Sequence, residues 1–478
     1  MIFSNSLLRS TNRSCACAGL LGVVVLSAVG IRAQVPSVPN PTTPTASSYQ
    51  GSVPTGEATA QTIELSLDEA VQRGLKANLG VILSNTQAAS ARGQRLVELQ
   101  SLLPSVDFKA TETLTQVNLA AQGLRIPGFP TIIGPFGYTD LRGYLNWSIL
   151  NVNSLRNYFA AKHNLTAANL SAQDAQDLVV LTVGNAYLLV LADESQISSV
   201  EAQVATAKVS LDQAVARHTA GTAPRLDELR SRVDYQRLQQ LLIVARNSLE
   251  QDKLALARTI GLPLAQSFTL SDKAPFKEFD QIDVNEAIQQ AHANRKDLAA
   301  MVEQAKAAEE QRKAATAERY PVLTASGDYG VIGVNLGSSH GTGDATGAMK
   351  VPLFREFALR GDAEIAQSQL DLAKAQLSDK GGQVDADVRD ALLDIQSAQQ
   401  QVEVARSSVE LANQTLQDAQ ERYSNGVSDN LAVSEAQQTV ARANDQFVAS
   451  LYRHNVAKLS LARALGEGSS YRNYLGGK

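Results

Sequence analysis

Between residues 388 and 423 every seventh position is apolar or aromatic: Val388, Ile395, Val402, Val409, Leu416 and Tyr423. Three residues after each of the first five stands an alanine: Ala391, Ala398, Ala405, Ala412 and Ala419. This is an a/d heptad seam with the smallest side chain at every d position, so a neighbouring helix can approach closely. The same register stands 205 residues earlier in Val183, Val190, Ile197, Val204, Leu211 and His218. Its d positions are mixed: Ala186, Asp193, Val200, Ala207 and Ala214. Carried back to Phe357, the second helix would run about 67 residues, roughly 100 Å at the α-helical rise. A compact globular domain has no use for such a length. By periodicity alone, a plain coiled-coil stalk is the alternative.

The seam belongs to a longer internal repeat. Leu67, Asp68, Glu69 and Ala70 return as Val284, Asn285, Glu286 and Ala287, and Leu103-Pro104 returns as Tyr320-Pro321, both at an offset of 217. Arg217, Gly221 and Leu226 return as Arg422, Gly426 and Leu431 at an offset of 205. Such a period describes a duplicated domain half rather than a solenoid. The shortfall of 12 is expected between two strand-like segments, where a surface loop tolerates length changes. Each half, 63–270 and 271–467, reads as helix, strand, loop, strand, very long helix, turn, long helix, with 468–478 left as a tail. Ser66 and Glu69 have capping-box spacing at the first helix. Pro104 and Pro321 each end a helix and open an extended segment.

The strand-like segments argue against a bare stalk. Val106, Phe108 and Ala110 alternate with Asp107, Lys109 and Thr111; Leu141, Gly143, Leu145, Trp147 and Ile149 alternate with polar neighbours. In the second half the apolar positions are Leu323, Ala325, Gly327, Tyr329 and Val331, then Gly347, Met349, Val351 and Leu353. Most of these runs approach the length that crosses a bilayer as a tilted strand. Two soluble hairpins with one wet face would read the same way. Four strands are too few to close a barrel, and open edges do not sit in lipid. Spanning strands would therefore have to be pooled by several chains, and three chains would give twelve. The glycine-rich run from Gly341 to Gly347 departs from phosphate-loop spacing and reads as a flexible hairpin loop.

Residues 1–33 carry Arg9 and Arg13, then an apolar stretch over 16–31, then Arg32 and the small Ala33. That is the layout of a secretory signal peptide, with an uncleaved anchor as the alternative. Both cysteines, Cys15 and Cys17, precede or open the apolar run, so lipidation after cleavage is not expected and the mature chain would hold no thiol. Residues 34–62, rich in Pro, Thr, Ser and Gly, read as a linker with no core of its own. No other uncharged run is long enough to span a bilayer as a helix; 178–192 comes nearest and is interrupted by Thr182, Gly184 and Asn185. The formal net charge is -5, and the leader removes only basic residues, which argues against a nucleic-acid partner. The five histidines, His163, His218, His292, His340 and His454, have no metal-ligand spacing, and no catalytic or cofactor motif stands out. His218, at an a position beside a turn, is expected to pack.

Together, the signal peptide, the duplicated helix–strand–strand–helix–helix unit and the Ala-rich heptads resemble the TolC-type outer membrane efflux protein family. The likeness extends over about residues 63–467. Its most specific pieces are Pro104 and Pro321, the run Val351, Pro352, Leu353 and Phe354, and the helix–helix turns Arg217 to Gly221 and Arg422 to Gly426. The resemblance implies a mixed α/β membrane protein. Its homotrimer would close a twelve-stranded β-barrel in the outer membrane, continuous with a coiled-coil barrel of twelve helices across the periplasm. It also implies passive export through a periplasmic adaptor and an inner-membrane RND or ABC pump. The helix–helix turns, with Gly221, Gly426, Leu226 and Leu431, would form the mouth where the adaptor docks. By the family's pattern Tyr423 and Asp227 are gate partners, and Glu435 is the one acid kept from a cation-binding pair whose other position is Ala432. Asp429 stands nearer the turn and could compensate. Ser428 replaces a latch Arg, so fewer polar links would hold the gate. The resemblance implies no enzyme activity, cofactor or resident metal. An exported structural or adhesive coiled-coil protein without a pore is the alternative; it would be freely soluble, whereas a channel needs detergent for extraction.

Overall fold

The computed structural model describes residues 46–272, 277–280, 282–428 and 430–475. The leader expected over 1–33 lies outside the described residues. In chain order the elements are β1 (Ile63–Leu65), α1 (Leu67–Ala77), α2 (Leu79–Gln100), β2 (Ser105–Asn118), β3 (Ile132–Leu150), α3 (Val152–Thr219) and α4 (Arg225–Ile260). There follow β4 (Phe268–Leu270), α5 (Val284–Asn294), α6 (Lys296–Ala317), β5 (Val322–Gly333), β6 (His340–Lys350), α7 (Glu356–Ser424), α8 (Asn430–Ala464) and the short α9 (Tyr471–Leu475). The order helix, helix, strand, strand, long helix, helix thus occurs twice.

Local chemistry sets the ends of these elements. Ser66 caps α1 in a complete capping box: its hydroxyl accepts from the Glu69 N–H, and the Glu69 carboxylate accepts from the Ser66 N–H, both at 3.3 Å. Asp283 caps α5, accepting from the N–H groups of Asn285 and Glu286 at 2.8 and 3.1 Å. The single helix expected before each first strand is two helices. In the first half Asn78 is responsible. It is fully buried, accepts from the Gly80 N–H at 2.9 Å and donates to the Tyr49 carbonyl at 2.6 Å, so it ends α1 and starts α2. Arg295 holds the corresponding position between α5 and α6. Pro104 and Pro321 do not sit at the last helical residues; α2 ends at Gln100 and α6 at Ala317, and each proline immediately precedes its strand.

Helices α3 and α7 are 68 and 69 residues long. The heptad register holds: Val388, Ala391, Ile395, Ala398, Val402, Ala405 and Ala412 are buried, and Val409 and Leu416 pack against Ala412, Val440 and Ala443. In α3 the same is true of Val183, Val190, Val200, Ala207 and Ala214. By length and composition α3 alone among the described helices could cross a membrane. Its apolar stretch is explained by burial: Val179, Val183, Tyr187 and Val190 are inaccessible within a core shared with α1, α4 and α8. A second core joins α5, α6, α7 and α8 around Val384, Val388, Ile395 and Leu461.

Strands β2, β3, β5 and β6 form one antiparallel sheet in that order, and β1 pairs with β4 in parallel. Register places Phe108, Gly143 and Tyr329 in one row and Lys109, Arg142 and Gly330 in the next, so the two faces keep their character across the sheet. Strand boundaries differ from expectation: β3 begins as early as Ile132, and β6 ends at Lys350, short of Val351 and Leu353. Residues 341–347, read as a loop, belong to β6, paired with β5 from Gly341 opposite Val331 to Gly347 opposite Ala325. Glycine is used there because Tyr329 lies across its neighbours: a Cβ on Gly343 would stand 3.0 Å from the Tyr329 ring and 2.8 Å from the Asp328 carbonyl. The shorter second half is shorter in its strands as well as its loop, 12 and 11 residues against 14 and 19.

Residues 46–62 do not run without a core. Tyr49 packs on the first core, the Val53 N–H donates to the Ala77 carbonyl at 2.9 Å, and the Thr55 N–H to that of Gly261 at 3.0 Å. The expected tail from 468 is likewise packed as far as Leu475, with Tyr471 and Leu475 in the same core.

Candidate functional site

The two hairpins α3/α4 and α7/α8 end in matching turns. Helix α3 closes with the Thr222 N–H on the Arg217 carbonyl (2.9 Å) and the Gly221 N–H on that of His218 (3.0 Å). Helix α7 closes with the Val427 N–H on the Arg422 carbonyl (2.9 Å) and the Gly426 N–H on that of Tyr423 (3.1 Å). Both are Schellman closures, which need a left-handed residue after the helix. Gly221 and Gly426 supply it at φ +71° and +74°. The physical content of the repeated Arg…Gly spacing is therefore a helix stop. Leu226 and Leu431, five residues after each glycine, are exposed, as is Val427.

Around these tips the chain ties its two hairpins together. The Arg217 guanidinium donates to the carbonyls of Tyr423 (3.1 Å) and Ser424 (3.2 Å), and lies 4.4 Å from the centre of the Tyr423 ring. Tyr423 is buried, and its hydroxyl has no hydrogen-bond partner among the described residues. The expected Tyr423–Asp227 bond is thus not made within the chain. Asp227 is also buried, in the first turn of α4, and its carbonyl accepts from the Asn430 amide at 3.3 Å. The same amide donates to the Ser231 hydroxyl at 2.8 Å. Further up, Ser434 donates to Asp234, and Gln437 donates to Ser210 at 2.9 Å. Glu435 is exposed, and Asp429 lies outside the described residues. His218, expected to pack, is partly exposed and holds Glu228, Nδ1 to Oε2 2.9 Å.

The sequence marks Arg217 only as a turn residue, with no role between the hairpins, and does not mark Asn430. The signal for Arg217 was present, since Arg217 and Arg422 are paired turn residues, but only the fold shows which carbonyls one hairpin offers the other. A cleft of about 440 Å³ with a mixed lining opens between the hairpins, bounded by Gln203, Thr206, Arg237, Leu238, Leu416 and Val440 among others. Among the described residues no cluster of three or more His, Cys, Asp or Glu is placed to hold a metal ion.

At the other end the sheet presents one apolar and one polar face. Val106, Phe108, Tyr329 and Met349 on the apolar face are each more than two-thirds exposed, and Leu353, Phe354 and Phe357 continue that exposure into α7. The outer strands β2 and β6 have no partner on their far sides among the described residues.

A four-stranded sheet carried on two hairpins of very long helices is a fold that this chain shares with solved outer membrane channel structures. The chain belongs to the outer membrane efflux protein family, whose model matches residues 84–262 and 287–467. Two relatives from Pseudomonas putida, the probable efflux pump outer membrane protein SepC and the toluene efflux pump outer membrane protein TtgF, are each 25% identical over 317 residues. The match covers 65% of this chain and 65% of each relative, just under two thirds of their length. Among solved structures the fold is similar to the outer membrane protein VceC from Vibrio cholerae, with a TM-score of 0.73 at 20% identity over 84% of this chain and 96% of that one.

Proposed function

We propose that three copies of this chain form an outer membrane export channel that crosses the periplasm and acts as the passive conduit of a tripartite pump. The observation that carries the reading is the sheet. Four strands, apolar on one face and polar on the other, with both outer edges unpaired among the described residues, cannot sit in lipid alone. Three such sheets joined edge to edge give twelve strands and no edge, with the apolar face toward outer membrane lipid and the polar face toward water. The helical hairpins then continue the wall as a hollow coiled-coil cylinder. The twice-repeated order of elements supports reading the chain as an internal duplication.

The turns at Gly221 and Gly426 form the periplasmic mouth. Exposed Leu226 and Leu431 offer an apolar surface there to an adaptor protein, through which an inner-membrane RND or ABC pump supplies the energy. We place the gate at Asp227, Tyr423 and Glu435, with Asp429 as a further acid near the turn. A structural coiled-coil protein without a pore would have no use for an apolar sheet face of this extent. Fractionation and bilayer recording test the reading together. The protein is expected in the outer membrane, released only by detergent, and conducting when reconstituted in planar bilayers. A freely soluble, non-conducting product after export would sink it.

A further inference from the structure

The polar face of the sheet carries a charged group that the channel reading does not use. Arg142 on β3 stands in one row with Gly330 on β5 and Thr342 on β6. Its side chain lies flat across the middle strand, which is possible because Gly330 has no side chain: a Cβ there would stand 2.7 Å from the Arg142 Cα and 2.8 Å from its Cβ. All three guanidinium nitrogens are engaged. Nε donates to Asp140 Oδ1 at 3.3 Å, Nη1 donates to Asp328 Oδ1, and Nη2 donates to Thr342 Oγ1 at 2.8 Å. The side chain is only 15% exposed. Asp344 stands directly opposite Asp328, where two like charges repel unless a cation is at hand.

We propose that Arg142, laid across Gly330, is a fixed cation that tunes the charge selectivity of the conduit by neutralising Asp140 and Asp328 on the pore-facing wall. The proposal rests on the channel reading. Three-fold assembly would repeat the group around the barrel, where the low-dielectric wall strengthens the effect of each uncompensated charge on small ions. Arginine suits the place because its planar fork satisfies several acceptors at once, and because it stays charged. Without it, the wall keeps Asp140, Asp328 and Asp344 on β3, β5 and β6, and the cation in register beside them is Lys109, opposite on β2.

Reversal potentials in a potassium chloride gradient across planar bilayers test this. Arg142→Gln is expected to raise the potassium-to-chloride permeability ratio at least about twofold. Asp328→Asn is expected to lower it, and the double variant to return near wild type. Arg142→Lys should keep the wild-type ratio, since the charge is retained. A purely structural strap would change the heat resistance of the trimer and leave the ratios untouched, and that result overturns the proposal. If Arg142→Gln does not assemble, Asp328→Asn carries the test, and an unchanged ratio there overturns it equally. A wild-type protein that inserts without conducting overturns the channel reading, and this proposal with it; a conducting wild type with variant-insensitive selectivity overturns only the role of Arg142.

Discussion

On the channel reading, Arg217 and Tyr423 would divide the work at the proposed mouth in a way that mutation can separate. The guanidinium makes two hydrogen bonds to backbone carbonyls of the other hairpin and covers the Tyr423 ring, while the phenol hydroxyl makes no bond within the chain. Arg217→Ala removes a cation–π contact and two charge-assisted bonds, a loss of about 1–3 kcal/mol at the tip. On the three-chain reading, we expect it to lower the thermal transition of the assembly and raise single-channel conductance. Tyr423→Phe should change stability by less than about 0.5 kcal/mol and leave conductance at the wild-type value. A rise in conductance for Tyr423→Phe as large as that for Arg217→Ala would return the latch to a bond between Tyr423 and Asp227 of a neighbouring subunit. Glu435, exposed one turn into α8, has the opposite profile. Glu435→Ala should leave folding unchanged and weaken block by multivalent cations, measured as the concentration that halves the current.

At the scale of the element, the alanine seam and its one acidic exception make separate predictions. Ala405 is buried at a d position in the middle of α7. Ala405→Leu adds volume where none is available and should cost about 1–3 kcal/mol, read as a lower melting temperature; an unchanged melt would mean the seam has slack. Asp193 is the charged d residue of α3. Burial, together with Asp252 close by, pushes its carboxyl up to about 7. A carboxyl raised in the folded state favours the protonated chain, so folding stability falls as pH rises from the usual carboxylate range near 4 to about 7 and levels off above. Asp193→Asn removes that loss. Its gain in melting temperature over wild type should be absent near pH 4, grow toward pH 7 and then stay constant. A gain independent of pH would show that Asp193 does not titrate in this window.

These elements also show what the sequence makes legible. Seam, turn glycines and strand alternation are periodic, and periodicity survives without coordinates; the extent of α7, expected from about Phe357 to Tyr423, follows from it almost to the residue. Asn78 leaves no periodic mark. It breaks a helix only because Tyr49, far back in the chain, supplies a carbonyl for its amide. Gly341 and Gly343 look like a loop until Tyr329 is set across them. The Arg217 tie depends on where a second hairpin, some 200 residues on, offers its carbonyls.

For the whole molecule, the decisive feature is the pair of outer edges on β2 and β6, strands of 14 and 11 residues, which are unpaired among the described residues. On the three-chain reading, each β2 meets the β6 of a neighbour. Crosslinking in outer membrane vesicles should then give a three-chain species and no larger closed ring, and a stably inserted, conducting monomer would contradict it. The same edges have a kinetic meaning. A lone chain in the periplasm would hold its hydrogen-bonding groups satisfied by water and would lose that water on entering lipid without replacement. Entry into the membrane and assembly of the trimer would consequently be one step, its rate rising steeply with the amount of chain delivered. Scarce synthesis would leave subunits waiting with bare edges that also recruit wrong partners. Expression level, more than intrinsic fold stability, would decide how many pores a cell obtains from a given number of chains.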